Sequence, residues 1–561
     1  MIIKKLQRFE SNGLPLVYWA VKKLKLESIL EKYIPSHGSE KIPAAKSLML
    51  ILYNLTLGRL PLYELEEWCS KINPKSIGET NIPTEILNDD RFGRSLDKLY
   101  DTDRSSLLTE IVSCAVQRFD IDLDVIHNDS TTAKAHGDIA GQTKDGLEFK
   151  HGKSKDHRAD LKQLLFCLSI TADGGVPVHY KAYPGNTTDD KTHIETWKII
   201  KGIKGSSDFL YVADCKVCTQ EQLGYIVDHG GKVITIMPST WKEVTRFKNE
   251  LRVKNIAKEK ILEKVIPAHR FTGIPEDKAK HERFYAFSGD YRTDDGYKIH
   301  WIYSSEKKKR DLKQREDFLK KTEQMLSVLN SKLNIRKYKV KDIIEEAVDQ
   351  ILKKNKTEQF FDIKISSKNI TTEVQLNKGR PGPNTSKKNI TKAHYSLTWS
   401  RNINALKKEK NVDGIFPLLS TDDTYTPLAA LEHYKYQPRL EKRFTQLKSF
   451  HKIMPILFKK IERVEAIMFL FFIGMMIQAI IEREVRNNME KANINHLNIY
   501  PEEREAFRPT TPIMLELFEG ISTSFIIDGE TNTEEFRDDL SKNQVQLLSM
   551  LGQEISDYWE P

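Results

Sequence analysis

Three carboxylates in this sequence stand where metal-assisted chemistry on a phosphodiester would need them. Asp129 follows the apolar run in "VIHNDST" and Asp214 closes "LYVAD", so each is expected where a strand leaves a sheet. Strands that end side by side bring such carboxylates together, and close carboxylates raise one another's pKa unless a cation intervenes. A pair of divalent ions about 3.5–4 Å apart removes the repulsion and activates a water or hydroxyl for in-line attack on phosphorus. Hard oxygen ligands favour Mg²⁺ or Mn²⁺. Glu441, within "YKYQPRLEKRFTQLK" (434–448), would complete the set. At about 100° per residue Tyr434, Gln437, Glu441 and Lys448 fall within roughly 60° of one another, beside an apolar stripe of Leu440, Phe444 and Leu447. One carboxylate then shares a helical face with an aromatic and a basic side chain. The bland alternative is aspartates that cap turns, and a solvated charged helix.

The elements that must position these residues are legible from periodicity. Residues 1–118 show the 3–4 apolar spacing of helices, in runs such as "AAKSLMLILYNLTLG". After Phe119 the pattern changes to strand-like runs at 123–131, 164–172 and 177–185, the last two joined by the turn "DGG" at 173–175. A helix near 189–203, a strand at 208–214, a helix at 219–230 and a strand at 232–238 follow. Three antiparallel strands and then alternating helix and strand predict a mixed α/β core. The rhythm breaks over 239–430, which holds a basic helix, the strand-like "RFYAFSG" and "IHWIYSS" and a "KGRPGPN" turn at 378–384. The reading is five segments: a helical N-terminal region (1–118), the first part of the core (119–238), an inserted α/β subdomain (239–430), core helices carrying the last acid (431–490), and a mostly helical C-terminal tail (491–561).

A chain of 561 residues is too long for one ordinary core. With 39% apolar and 30% charged residues it has neither a collagen-like nor a disordered composition. The net charge of +9 is unevenly placed: 306–340 carries twelve basic and five acidic side chains. Such a surface suits a polyanion, DNA being the obvious one, or is simply solvated. Five cysteines, an odd and sparse set, argue against a secreted disulfide framework. Cys215 and Cys218 form a C-x2-C with no second pair to complete a zinc site. The N-terminus lacks an apolar signal core. The run "AIMFLFFIGMMIQAII" (466–481) has 16 residues, includes Gln478, and falls short of the about 20 that a bilayer span needs. A buried helix, no membrane and a reducing cytoplasmic location are expected, with membrane association as the alternative.

Several blocks, in order, resemble the DDE transposases of bacterial insertion sequences, in the insertion-sequence-four-like superfamily with a long insertion before the last acid. These are "NDDRFGRSLDKLYD" (88–101), "NDSTT" (128–132), "HGKSKDHRADLKQ" (151–163), "DGGVPVHYKAYPGNTTD" (173–189), "YVAD" (211–214), the 434–448 helix against a Y-x2-R-x3-E-x6-K signature, and "IERVEAIMFLFFIGMMIQAIIEREVR" (461–486). The resemblance implies an RNase H-like core and metal-dependent cleavage and transfer of DNA strands at the terminal inverted repeats of an element. Asp129, Asp214 and Glu441 become ligands of two Mg²⁺ ions, with Mn²⁺ as a substitute. Tyr434 and Lys448 become contacts to the DNA backbone, and Lys155 and Arg158 are taken with them. The implied partners are double-stranded DNA, as transposon ends and target, and a second copy of the chain in the DNA complex. The signature's arginine position holds Gln437, so that phosphate contact is missing or comes from Arg439. Pro438 cannot donate a helical hydrogen bond and is expected to open the helix, leaving Tyr434 and Gln437 just before it. A transposase-derived DNA-binding protein with a dead site is the alternative, against which all three acids are present.

Overall fold

The computed structural model describes residues 5–134 except 39 and 59, 141–152, 160–266, 280–376, 379, 382, 386–450, 458, 460–528 and 531–561. The chain divides into two compact units, one of residues 1–235, 420–422 and 431–561 and the other of 236–419 and 423–430.

The first unit opens with a strand, β1 (Lys5–Glu10), which the helical reading of 1–118 did not anticipate. Its central sheet follows: β2 (Val125–Lys134), β3 (Gln163–Thr171), β4 (Pro177–Pro184), β5 (Leu210–Ala213) and β6 (Lys232–Ile236). Their spatial order is β4-β3-β2-β5-β6. The first three are antiparallel, whereas β5 pairs parallel with both β2 and β6. This is the RNase H-like arrangement, and the mixed α/β core expected from the sequence is present. Every residue of β3, "QLLFCLSIT", is buried, as a strand covered on both faces requires. The β3–β4 turn needs glycine: Gly174 and Gly175 have φ of 74° and 67°.

The helices at Ala44–Leu57 and Asp89–Asp101 pack on one long helix, Ile461–Lys491, here called the core helix. It is apolar all round because it is enclosed all round. By length and composition it could cross a membrane, but its most apolar window is 94% buried within the protein. Gln478, the polar residue in that window, is satisfied: its amide nitrogen donates to Thr56 O at 2.8 Å and its carbonyl accepts from Gln446.

The tail 491–561 is not mostly helical. It contributes strands at Leu497–Tyr500, Arg504–Ala506, Ser522–Asp528 and Thr531–Arg537, besides three short helices. Ser522–Asp528 pairs antiparallel with β1, Phe9 opposite Thr523. Strands that pair across most of the chain's length leave no local signal beyond a few β-branched residues.

The second unit holds the strands Lys258–Ile266, Lys280–Phe287 and Lys298–Ser304 and all but the last residue of Ile415–Ser420, in the spatial order 415–420, 298–304, 280–287, 258–266. Two helices, Ser305–Ser331 and Lys341–Asn355, pack through Leu326, Leu329, Ile344 and Val348, together with the base of a long hairpin, Phe361–Gln375 with Lys387–Arg401. The basic stretch 306–340 is therefore a helix as far as Ser331 and turns beyond it. Part of its charge is neutralised internally, Lys307 pairing with Asp311 at 2.7 Å and Arg315 with Asp413. The expected 378–384 turn lies outside the described residues except at 379 and 382.

Candidate active site

Asp129 and Asp214 belong to neighbouring strands. Asn128 is in register with Ala213 in the parallel β2–β5 pair, so the two aspartates are each the next residue along. Asp129 does not end its strand, contrary to the sequence reading. The β2–β3 ladder runs on to Lys134, with Asp129 opposite Leu168, and only the pairing to β5 stops beside it. Each carboxylate is held locally: Asp129 Oδ1 accepts from the Ser130 N–H at 2.7 Å and Asp214 Oδ1 from the Lys216 N–H at 2.9 Å. The Thr235 hydroxyl on β6 donates to Asp214 O at 2.7 Å, fixing the strand end from its other side.

Pro438 opens a helix, Pro438–Thr445, here the acid helix, with Glu441 exposed in its first turn. Tyr434 ends a separate helix, Pro427–Tyr434, and Gln437 is the N-cap residue of the acid helix. The single wheel that aligned Tyr434 and Gln437 with Glu441 therefore does not exist, for the reason Pro438 gives. The helix ends regularly at Thr445 and continues as a π-helical turn, Gln446–Phe450, which holds Lys448 half-buried. A wider turn also removes the strict alignment of Lys448 with Glu441. Leu440, Phe444 and Leu447 are buried, as the apolar stripe requires.

Two anchors set the acid helix against the sheet. At its start Gln437 Nε2 donates to Asn128 O at 3.1 Å, and Gln437 Oε1 lies 3.3 Å from His127 Nδ1. Tyr436 stacks on the His127 ring at 4.9 Å. Side chains alternate along a strand, so Asp129 shares the face of His127 that this segment covers. One turn along, the Arg443 guanidinium donates to the carbonyls of Gly175 (3.0 Å) and Gly174 (3.2 Å) in the β3–β4 turn, and to Glu482 of the core helix at 3.0 Å. Arg483, next to Glu482, grips the same turn through Asp173.

Tyr434 reports the outcome electrostatically. Burial raises its phenol first, then the charges of Asp214, Cys215, Asp129 and Glu441 raise it further, to about 12. One hydroxyl thus lies in the field of all three predicted acids and stays protonated at neutral pH. Among the described residues, no three His, Cys, Asp or Glu side chains are gathered as metal ligands. The two aspartates are adjacent in register, and Glu441 is exposed in the first turn of the acid helix.

Gln437, expected at DNA, spends its amide on β2. Arg439 is half-buried, and burial first, then Arg508, depresses it. Lys155 and Arg158 lie outside the described residues. Sequence reasoning overlooked the support behind Asp129: the Ser169 hydroxyl donates to Asn128 Oδ1 at 2.8 Å, and His193 Nδ1 lies 3.4 Å from the Asn128 amide nitrogen and 3.0 Å from the Tyr211 hydroxyl. It also overlooked Arg443. The signal for that residue was available, because Arg443 falls within the apolar stripe of Leu440, Phe444 and Leu447, where a charge needs a buried partner.

Residues 6–113 match a family described as a domain of unknown function, DUF4277. That match lies in the helical N-terminal part and contains none of the three acids. Among solved structures, a cryo-EM structure of the piggyBac transposase synaptic complex with hairpin DNA is similar at a TM-score of 0.35 and 7% identity, covering 91% of this chain and 82% of that one. A likeness at that level is too low to bear on fold or function. No curated protein matches the sequence.

Proposed function

We propose that this chain is a DDE transposase, binding the terminal inverted repeats of an insertion sequence and cutting and joining DNA strands there. The observation that carries the reading is the β2–β5 register, which sets Asp129 and Asp214 side by side. Tyr434, just before the helix of Glu441, is raised by burial and then by the charges of Asp214, Cys215, Asp129 and Glu441. The two aspartates stand on parallel strands of an RNase H-like sheet, and the helix bearing the third acid is fastened to one of those strands. The ordered sequence blocks described above support the same reading.

The donor set is carboxylate oxygen throughout, which suits Mg²⁺ or Mn²⁺. Two such ions, held by Asp129, Asp214 and Glu441, would supply the activated hydroxyl and the charge stabilisation at phosphorus. The chain's own contribution is positioning. The protonated Tyr434 hydroxyl donates a hydrogen bond to a phosphate oxygen of the scissile strand, and Lys448 supplies a positive charge to the same backbone. Two copies of the chain would hold two ends, in the cytoplasm, where the element's DNA is.

Purified protein incubated with duplex DNA carrying the repeats that flank its own gene should nick at the repeat boundary in Mg²⁺ or Mn²⁺ and not in EDTA. Binding of those ends without cleavage in either metal would leave only a DNA-binding protein of transposase descent.

A further inference from the structure

Arg439 shares the acid helix with Glu441 but not its face: two residues apart, they diverge by about 160° in projection. The Arg439 side of the helix meets the core helix and the segment that follows Phe507. Glu482, 5% exposed, is the hub of that meeting. It accepts from Arg443 at 3.0 Å and from the Thr511 N–H at 3.1 Å, and it forms an ion pair with Arg486 at 3.3 Å. Arg486 in turn donates to Pro509 O at 3.0 and 2.5 Å, which fixes Arg508 beside it. The buried carboxylate is therefore fully engaged by two arginines and an amide.

Three further cations flank this hub. Arg439 lies one turn before Arg443, Lys442 lies three residues after Arg439, and Arg508 precedes Pro509. None of the three side chains has a hydrogen bond or ion pair among the described residues. Lys442 and Arg508 are exposed and Arg439 is half-buried. They oppose one another: burial first, then Arg508, depresses Arg439, and burial followed by Arg439, Arg508 and Arg486 depresses Lys442. Folding has thus gathered five cations, Arg439, Lys442, Arg443, Arg486 and Arg508, around one buried carboxylate, Glu482, and that excess of like charge costs stability and has no use in the packing itself.

We propose that Arg439, Lys442 and Arg508 form a second phosphate-binding surface, engaging the backbone of duplex DNA on the side of the acid helix turned from Glu441. The cations come from two distant segments, with Lys442 and Arg508 exposed, and so fit a row of backbone phosphates. Point charges on an open surface position DNA without reading its sequence. The proposal rests on the DNA reading above, with a different set of residues.

The test is a salt titration of full-length protein binding to a fluorescent duplex of arbitrary sequence, run in EDTA so that neither cleavage nor metal binding enters. Each phosphate contact contributes about 0.9 to the slope of log K against log salt, so K442Q/R508Q should flatten it by about 1.8. The variant's Tm should equal or exceed that of the parent protein, because no partner is lost and repulsion is relieved. An unchanged slope overturns the proposal, as does a lowered Tm, which would make the cations structural. Equal flattening with single-stranded RNA would overturn the assignment to duplex DNA. Failure of the transposase reading shows separately, as absent cleavage in Mg²⁺.

Discussion

Gln437 Nε2 donates a 3.1 Å hydrogen bond to the backbone oxygen of Asn128, the residue before Asp129. The segment that opens the acid helix is thereby tied to the strand of the first acid, one residue from it. The other end of the same amide faces His127, whose ring is fully buried, so both ends are used inside the protein.

Replacing that amide tests its role. Gln437→Ala leaves the His127 nitrogen and the Asn128 carbonyl without their partner, at a cost of about 1–3 kcal/mol in urea denaturation. Cleavage in Mg²⁺ should fall at least tenfold, while DNA affinity in EDTA stays unchanged. A direct DNA contact would give the opposite pattern, with affinity lost and stability kept.

Glu441 is exposed and carries no packing role, so Glu441→Gln should leave Tm unchanged and abolish cleavage by orders of magnitude in Mg²⁺. Lys448→Ala should behave differently, because a lost backbone contact costs affinity and positioning, and its activity should recover in part at lower salt. Near-normal cleavage by purified Glu441→Gln protein would end the DDE reading.

Arg443 and Glu482 are a buried pair, 6% and 5% exposed. Arg443→Met removes the grip on the Gly174 and Gly175 carbonyls and strands a buried carboxylate, an expected loss of about 3–5 kcal/mol. Because Arg486 still faces Glu482, the lower end of that range is expected. The double variant Arg443→Met/Glu482→Met should recover part of the loss, measured as a coupling energy in a double-mutant cycle.

His179 on β4 is buried, and neither ring nitrogen has a hydrogen-bond partner among the described residues. Burial holds its imidazole at about 4, against an ordinary 6.5. A histidine depressed in the folded state binds its proton more readily in the unfolded chain. The stability it permits is complete above pH 6.5 and lost as the pH falls from 6.5 towards about 4. His179→Leu should remove one proton from the slope of unfolding free energy against pH in that window, measured by urea denaturation. Stability at pH 7 should not fall, since no hydrogen bond is lost.

Much of the central sheet was legible because its signals are local. Five apolar runs located β2 to β6 to within a few residues, and the "DGG" turn gave the β3–β4 connection through glycine's access to positive φ. Pro438 announced the start of the acid helix through its missing N–H. The "AIMFLFFIGMMIQAII" run declared burial by being apolar on every side.

What the tertiary structure alone decided are the relations between segments far apart in sequence. Residue types nominated Asp129, Asp214 and Glu441, but only the β2–β5 register puts the two aspartates side by side. Only the packing of the acid helix ties Gln437 to Asn128 and sets Arg439 in the field of Arg508. The pairing of β1 with Ser522–Asp528 is of the same kind. Periodicity and propensity act over a few residues, whereas a hydrogen-bond partner or counter-charge hundreds of residues away is chosen by which faces bury together. That choice is a property of the assembled core, and no single stretch of the sequence carries it.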